Sequence, residues 1–194
     1  MSLKNFIKSL IILNISVAGI SKALSQPTLH DKSGLYLSAT DFVSGRLSFE
    51  NDKFRADAVF KPSKVIVLLP HEKKLLNKND IYGYRVNNSN YRFYEEISYK
   101  IIDTAGFYLY YLYKDEAYIK GKALVKTDRY YFSKTASSTI LPLTRSALEE
   151  AFKNNNLFYS SLITSFHSDK ELILFDAVQK QYRLKYLYNL SKKD

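Results

Sequence analysis

Arg85, Arg92 and Lys100 are the side chains whose spacing could do chemistry, and that chemistry is the holding of an anion. The segment Ile81–Tyr94 (IYGYRVNNSNYRFY) reads as a β-hairpin about Asn87–Asn90, with Val86 expected opposite Tyr91. Tyr82, Tyr84 and Val86 then face the core together with Tyr91 and Phe93. The other face carries Arg85 opposite Arg92 and Gly83 opposite Tyr94. Extending the core face to Tyr99 and Ile101 sets Lys100 beside Arg92, which makes a row of three cations flanked by Tyr94 and Tyr111. Like charges placed directly opposite each other destabilise a sheet. Such a row therefore implies one of two things. Either Glu95, Glu96, Asp103 or an acid on a covering helix neutralises it, or it receives a carboxylate, sulfate or phosphate while the tyrosines stack on sugar faces. The absence of Trp weighs against a dedicated sugar platform.

Other chemistries lack their residues. His30, His71 and His167 stand far apart, and none has a second His within the next turn or strand step. The six glycines never cluster, so no phosphate-cradling loop is present, and neither a G-x-S-x-G elbow nor an H-E-x-x-H pair occurs. Zero cysteines remove disulfides, thiolate metal sites and Cys nucleophiles together. No cofactor is expected. Glu95-Glu96 and Asp115-Glu116 fall at expected turns, and Glu149-Glu150 in an expected helix first turn, where the helix dipole accounts for them. Carboxylates drawn from separate strands could still assemble a hydrolase site, which stays open as the alternative function.

The elements that must position these residues follow from hydrophobic period. Between residues 34 and 134 short alternating runs of Tyr, Phe, Val and Ile are broken by Gly, Asn, Asp and Pro, the pattern of an antiparallel sheet. Expected strands are Leu35–Ser38, Arg46–Phe49, Phe54–Phe60, Val65–Leu69, Ile81–Val86, Asn90–Tyr94, Ser98–Asp103, Phe107–Tyr113 and Leu124–Ser133. Val65–Leu69 has no alternation and reads as a central strand buried on both faces. Lys114–Lys122 reads as a polar connection. Residues 144–180 change to a helical period. Ser146 and Ser168 each head a capping box and are expected at N-caps, with Asn154–Asn156 ending one helix and opening the next. In the final stretch, 181–188, Tyr182, Leu184, Tyr186 and Tyr188 alternate with charged residues and read as a returning strand.

The first 25 residues read as an address. Lys4 and Lys8 precede the apolar run Leu10–Ile20, and Ala23-Leu24-Ser25 supplies a cleavage site before Gln26. The run is too short and too polar for a spanning helix, which needs about 20 apolar residues. Loss of Lys4, Lys8 and Lys22 lowers the formal charge from +10 to +7, leaving residues 26–194 as one domain. An exported basic protein meets anionic glycans, lipid headgroups and envelope proteins before it meets nucleic acid, so no nucleic-acid partner is expected.

Gly83-Tyr84-Arg85, Tyr91-Arg92-Phe93, Ile102-Asp103-Thr104, Tyr130-Tyr131-Phe132-Ser133 and Leu141-Pro142-Leu143-Thr144 are similar, in order and spacing, to a group of uncharacterised exported bacterial proteins. The resemblance covers the chain after residue 25 and implies export and a single architecture, without implying an activity or a cofactor. The expected fold is α+β: an antiparallel, aromatic-rich sheet or open barrel, two to three short C-terminal helices and a returning last strand. The expected function is a non-enzymatic, exported binding or envelope-associated structural role, in the periplasm, cell envelope or medium, with Arg85, Arg92, Lys100 and Tyr94 as the binding residues for an anionic glycan or headgroup.

Overall fold

Two tight turns organise the sheet. Asn87 and Asn88 both have positive φ (47° and 59°), as do Glu95 and Glu96 (49° and 63°). Each pair forms a two-residue hairpin loop whose twist matches the right-handed twist of its strands. The result is a meander of β5 (Gly83–Val86), β6 (Ser89–Tyr94) and β7 (Ile97–Asp103). The computed structural model describes residues 32–57, 62–116 and 125–192. The expected signal segment, the end of the Phe54–Phe60 strand and most of the 114–122 connection lie outside these residues.

The meander continues into β8 (Tyr108–Glu116) and β9 (Val125–Ser133), paired along their whole length. β1 (Gly34–Tyr36) closes one edge beside β5, and β10 (Leu141–Pro142) closes the other beside β9. This seven-stranded antiparallel sheet is open, with the order β1-β5-β6-β7-β8-β9-β10. A second, three-stranded sheet consists of β2 (Lys53–Arg55), β3 (Lys64–Leu68) and β4 (Lys73–Asn77). β3 is its central strand, as expected, but only Val65 and Val67 are buried, so it buries one face rather than two. The run Arg46–Phe49 contributes a single bridge, Ser48 to Leu35, in place of a strand.

The helices correct the expected period in three places. A helix absent from the sequence reading, α1 (Ala39–Ser44), starts where a strand was expected to end: Ser38 and Asp41 form a capping box, and Gly45 closes the helix at φ 70°. α2 (Arg145–Ala151) is capped by Thr144, whose hydroxyl accepts the Ala147 N–H, so Ser146 lies inside the helix. Glu149 and Glu150 accordingly fall in its second half, and Asp115-Glu116 end β8 instead of forming a turn. α3 (Asn156–Ser165) is capped by Asn155 as expected. Ser168 precedes a 3-10 turn, Asp169–Ile173, but its hydroxyl pairs with the Glu171 carboxylate and caps no N–H.

The returning strand is the largest correction. Only Gln181–Tyr182 (β12) is extended, pairing with Phe175–Asp176 (β11), and Arg183–Leu190 then forms helix α4. The alternating aromatics concealed a second period: Leu184, Leu187 and Tyr188 lie on one helical face and pack into the core.

Coverage of the large sheet is unequal. On one face the three-stranded sheet covers the β5–β6 end around Tyr84 and Phe93, while α2, α3 and α4 cover the β8–β9 end around Leu109 and Phe132. At the latter end Lys185, fully buried, clasps the β7–β8 turn. Its Nζ donates to the Ala105 carbonyl at 2.9 Å and to the Phe107 carbonyl, and sits 3.3 Å from an Asp103 carboxylate oxygen. The other face carries Tyr36, Tyr82, Tyr99, Ile101 and Tyr110, and is packed by α1 and residues 136–140. A groove remains there.

Candidate anion-binding groove

The row of three cations does not form. With a two-residue turn at Asn87-Asn88, Val86 pairs with Ser89 and Arg85 with Asn90, two residues away from the expected register. Arg92 lies opposite Gly83 on one side and Tyr99 on the other. The second tight turn, Glu95-Glu96, sets Lys100 opposite Tyr91, on the reverse face of the sheet. Tyr99 and Ile101 consequently share the face of Arg92, contrary to expectation, and Tyr82 turns to that face as well. A shift of two residues keeps Tyr84, Val86, Tyr91 and Phe93 together, whereas the shift of one in β7 inverted every side chain on it.

Arg92 is a core residue, only 5 % exposed. Its guanidinium stacks against the rings of Tyr82, Tyr94 and Tyr110 at 5.5, 5.6 and 6.0 Å. Nη1 donates to Tyr110 Oη at 3.1 Å and to Ser133 Oγ at 3.4 Å. Among the described residues no carboxylate lies within 4.0 Å of Arg92 or of Arg85. The expected neutralising acids are thus replaced, at Arg92, by ring faces and hydroxyls. Gly83 is what lets Arg92 sit there: a Cβ on Gly83 would come within 1.9 Å of the Tyr91 carbonyl oxygen.

Arg85 is half-buried on the same face, and its Nε is fully buried without a hydrogen-bond partner. It forms part of a cavity of about 470 Å³ with Tyr36, Asn90, Ser44, Thr104 and Tyr108. Tyr36 Oη donates to Asn90 Oδ1 at 3.0 Å, which fixes both side chains at the Arg85 end. Burial pushes the Tyr36 phenol up, and the adjacent Arg85 guanidinium draws it partly back. Tyr108 is likewise raised by burial and by Tyr110, with the Arg92 charge acting in the opposite sense. All these phenols are neutral donors near neutral pH.

A second cavity, about 540 Å³, shares Val43, Thr104 and Tyr108 with the first and runs on to Lys134, Thr135 and Ser137. Each cavity falls within the range of about 300–1,000 Å³ usual for small-molecule sites. Together they make one groove along α1. Phe42 of α1 stacks on Tyr82 at 5.0 Å and meets Tyr36 edge-on at 5.3 Å, which anchors the helix as the groove wall. None of the lining residues is a carboxylate. The groove therefore offers two cations, Arg85 and Lys134, with phenols, hydroxyls and an amide, and no carboxylate in its lining.

Of the four residues singled out in the sequence, Arg85 alone lines the groove, Arg92 and Tyr94 stack beneath it, and Lys100 is elsewhere. Tyr36, Asn90 and Tyr108 escaped notice. The Ser38-x-x-Asp41 spacing could have located α1 and with it the groove wall. Among the described residues no cluster of three His, Asp or Glu could hold a metal, and no helix is long and apolar enough to cross a membrane. No known protein family matches the chain, and no curated protein or solved structure is significantly similar to it.

Proposed function

We propose that this protein is an exported, non-enzymatic binding protein whose α1 groove holds an anionic group carried by a glycan or a lipid headgroup. The carrying observation is Arg85: a half-buried guanidinium, with no carboxylate within 4.0 Å among the described residues, lining a cavity that has no acid in its wall. A hydrogen bond from a charged guanidinium to an anion contributes about 1.5–3 kcal/mol, which an anion seated on Arg85 gains as binding energy. Thr104 and Tyr108 supply neutral donors, and Tyr36, whose hydroxyl is donated to Asn90, supplies a ring edge for a hydroxyl-bearing ligand. Export rests on Lys4, Lys8 and the Leu10–Ile20 run, and on the resemblance to exported proteins.

Calorimetric titration with oligogalacturonate, heparin fragments and short-chain phosphatidylglycerol tests the reading. Binding by at least one of the three is expected, weakening with added salt and lost in Arg85→Met. Equal affinity of wild type and Arg85→Met for every ligand that binds would sink it, as would no binding at low salt.

A further inference from the structure

The groove does not stop at Lys134. That residue lines two further cavities, which carry the path round the end of the sheet towards the helices on its other face. The first, about 330 Å³, has Ser138, Thr139, Glu150 and Lys153 in its wall. The second, about 220 Å³, includes Phe152 and Tyr188 and ends at Lys192. Lys134 Nζ stands 5.7 Å from the centre of the Phe152 ring, and Lys192 Nζ 5.3 Å from that of Tyr188. Both lysines are exposed, and among the described residues neither has a carboxylate within 4.0 Å. The acids along the path already have cations of their own. Glu150 Oε1 accepts from Lys153 Nζ at 2.9 Å, Asp41 is paired with Arg46, and Asp103 with Lys185. Arg85, Lys134 and Lys192 are therefore in surplus, one at each end of the path and one at its middle.

We propose that this path is a track for a linear acidic glycan, whose successive carboxylate or sulfate groups meet Arg85, Lys134 and Lys192 in turn. The proposal rests on the groove reading, with Arg85 as first contact, and narrows the ligand from one anionic group to a polymer. Two observations select a glycan. Cations recurring along a continuous path match a repeating charge, which a single headgroup does not carry. Between them the lining is hydroxyl and amide, from Thr135, Ser137, Ser138, Thr139 and Asn154, which suits sugar hydroxyls. A single-stranded nucleic acid stacks its bases on open aromatic faces. Phe152 and Tyr188 are each only 7 % exposed and lie under the lysines.

Calorimetry on the full chain, with a disaccharide and a decasaccharide of galacturonate and of heparin, tests the track. In at least one series the decasaccharide is expected to bind about tenfold more tightly than the disaccharide, with a steeper salt dependence. Lys134→Gln and Lys192→Gln are each expected to weaken decasaccharide binding about threefold and disaccharide binding less, while Lys192→Arg keeps wild-type affinity. Arg85→Met is expected to weaken both lengths, and Lys73→Gln on the distant β4 neither. Two results would overturn the track and leave the groove reading standing. One is decasaccharide affinity unchanged in both lysine variants but lost in Arg85→Met; the other is binding of short-chain phosphatidylglycerol with no binding of either glycan. Tighter binding of a single-stranded oligodeoxynucleotide of equal charge, weakened by the same two lysine variants, would assign the track to nucleic acid instead. Absence of all binding, or Arg85→Met equal to wild type, would overturn the groove reading and the track with it.

Discussion

Arg92 Nη1 donates to Tyr110 Oη at 3.1 Å, and Tyr110 and Ser133 hydroxyls lie 2.8 Å apart behind it, so among the described residues a buried cation is held by neutral oxygens and ring faces without a carboxylate. The cost of burying a guanidinium falls when ring faces replace part of its hydration. Truncation and isosteric replacement should therefore differ. Arg92→Ala leaves a cavity among Tyr82, Tyr94 and Tyr110 and is expected to cost about 3 kcal/mol in urea unfolding. Arg92→Met fills the space, leaves the Tyr110–Ser133 hydrogen bond in place and is expected to cost about 1 kcal/mol or less. Losses of equal size in Met and Ala would show that the charge itself, and not the filled space, holds the sheet.

Gly83 and Gly45 are required for different reasons. The Gly83 Cβ position is occupied by the Tyr91 carbonyl, whereas around Gly45 there is open space and only its φ of 70° resists a side chain. Gly45→Ala is expected to cost about 1 kcal/mol. Gly83→Ala must move β6 away from β5 and is expected to cost about 3 kcal/mol or prevent folding. Equal losses in thermal melts would contradict the close approach.

The helix caps give a cleaner comparison. Thr144→Ala removes the acceptor for the Ala147 N–H and is expected to cost about 1 kcal/mol. Ser146→Ala, inside the first turn of α2, is expected to lie within about 0.5 kcal/mol of wild type. Ser168→Ala should also be mild, since that hydroxyl caps no N–H. Chemical denaturation of the three variants ranks them.

Lys185 gives the protein an alkaline signature. Burial pulls its ammonium down to about 8, against the opposing pull of Asp103, while the unfolded chain titrates near 10.5. Below pH 8 the residue is charged in both states. Between pH 8 and 10 the unfolded chain holds a proton that the native state releases, so stability rises with pH, by at most roughly 3 kcal/mol. Above pH 10 the trend reverses: burial pushes Tyr84 up to about 12 and Tyr82 higher still, so the unfolded chain alone loses those protons. Unfolding free energies measured from pH 7 to 11 should rise and then fall, and Lys185→Met should abolish the rise while keeping the fall.

Much of the fold could be read from the residues. Seven of the nine expected strands, Leu35–Ser38 and the six from Val65–Leu69 through Leu124–Ser133, coincide with observed strands to within three residues at each end. Hydrophobic alternation carries that information wherever one face is buried. The errors arose where two periods coexist or where one turn residue decides. Leu184, Tyr186 and Tyr188 fit a strand, yet Leu184, Leu187 and Tyr188 fit a helix, and packing beside Phe107 chose the helix. The cation row depended on loop length at Asn87–Asn90 and Glu95–Glu96. A turn is expected at Glu95-Glu96, but Glu is an unusual residue for positive φ, so nothing in the local sequence announces a turn of only two residues. Arg85 was recognised as a candidate for the wrong neighbour. Its actual surroundings come from β1, α1 and β8, contacts between distant segments that period alone does not reveal.

The most direct measurement is the Nε–H resonance of Arg85 in a ¹⁵N-labelled sample titrated with whichever anionic ligand binds. Because the Arg85 guanidinium lines the groove, a seated carboxylate, sulfate or phosphate should shift its Nε–H signal saturably, while the Arg92 Nε–H, stacked among tyrosines, stays in place. An Arg85 signal that does not move when the ligand is bound would place the anion elsewhere and contradict the groove as the binding site.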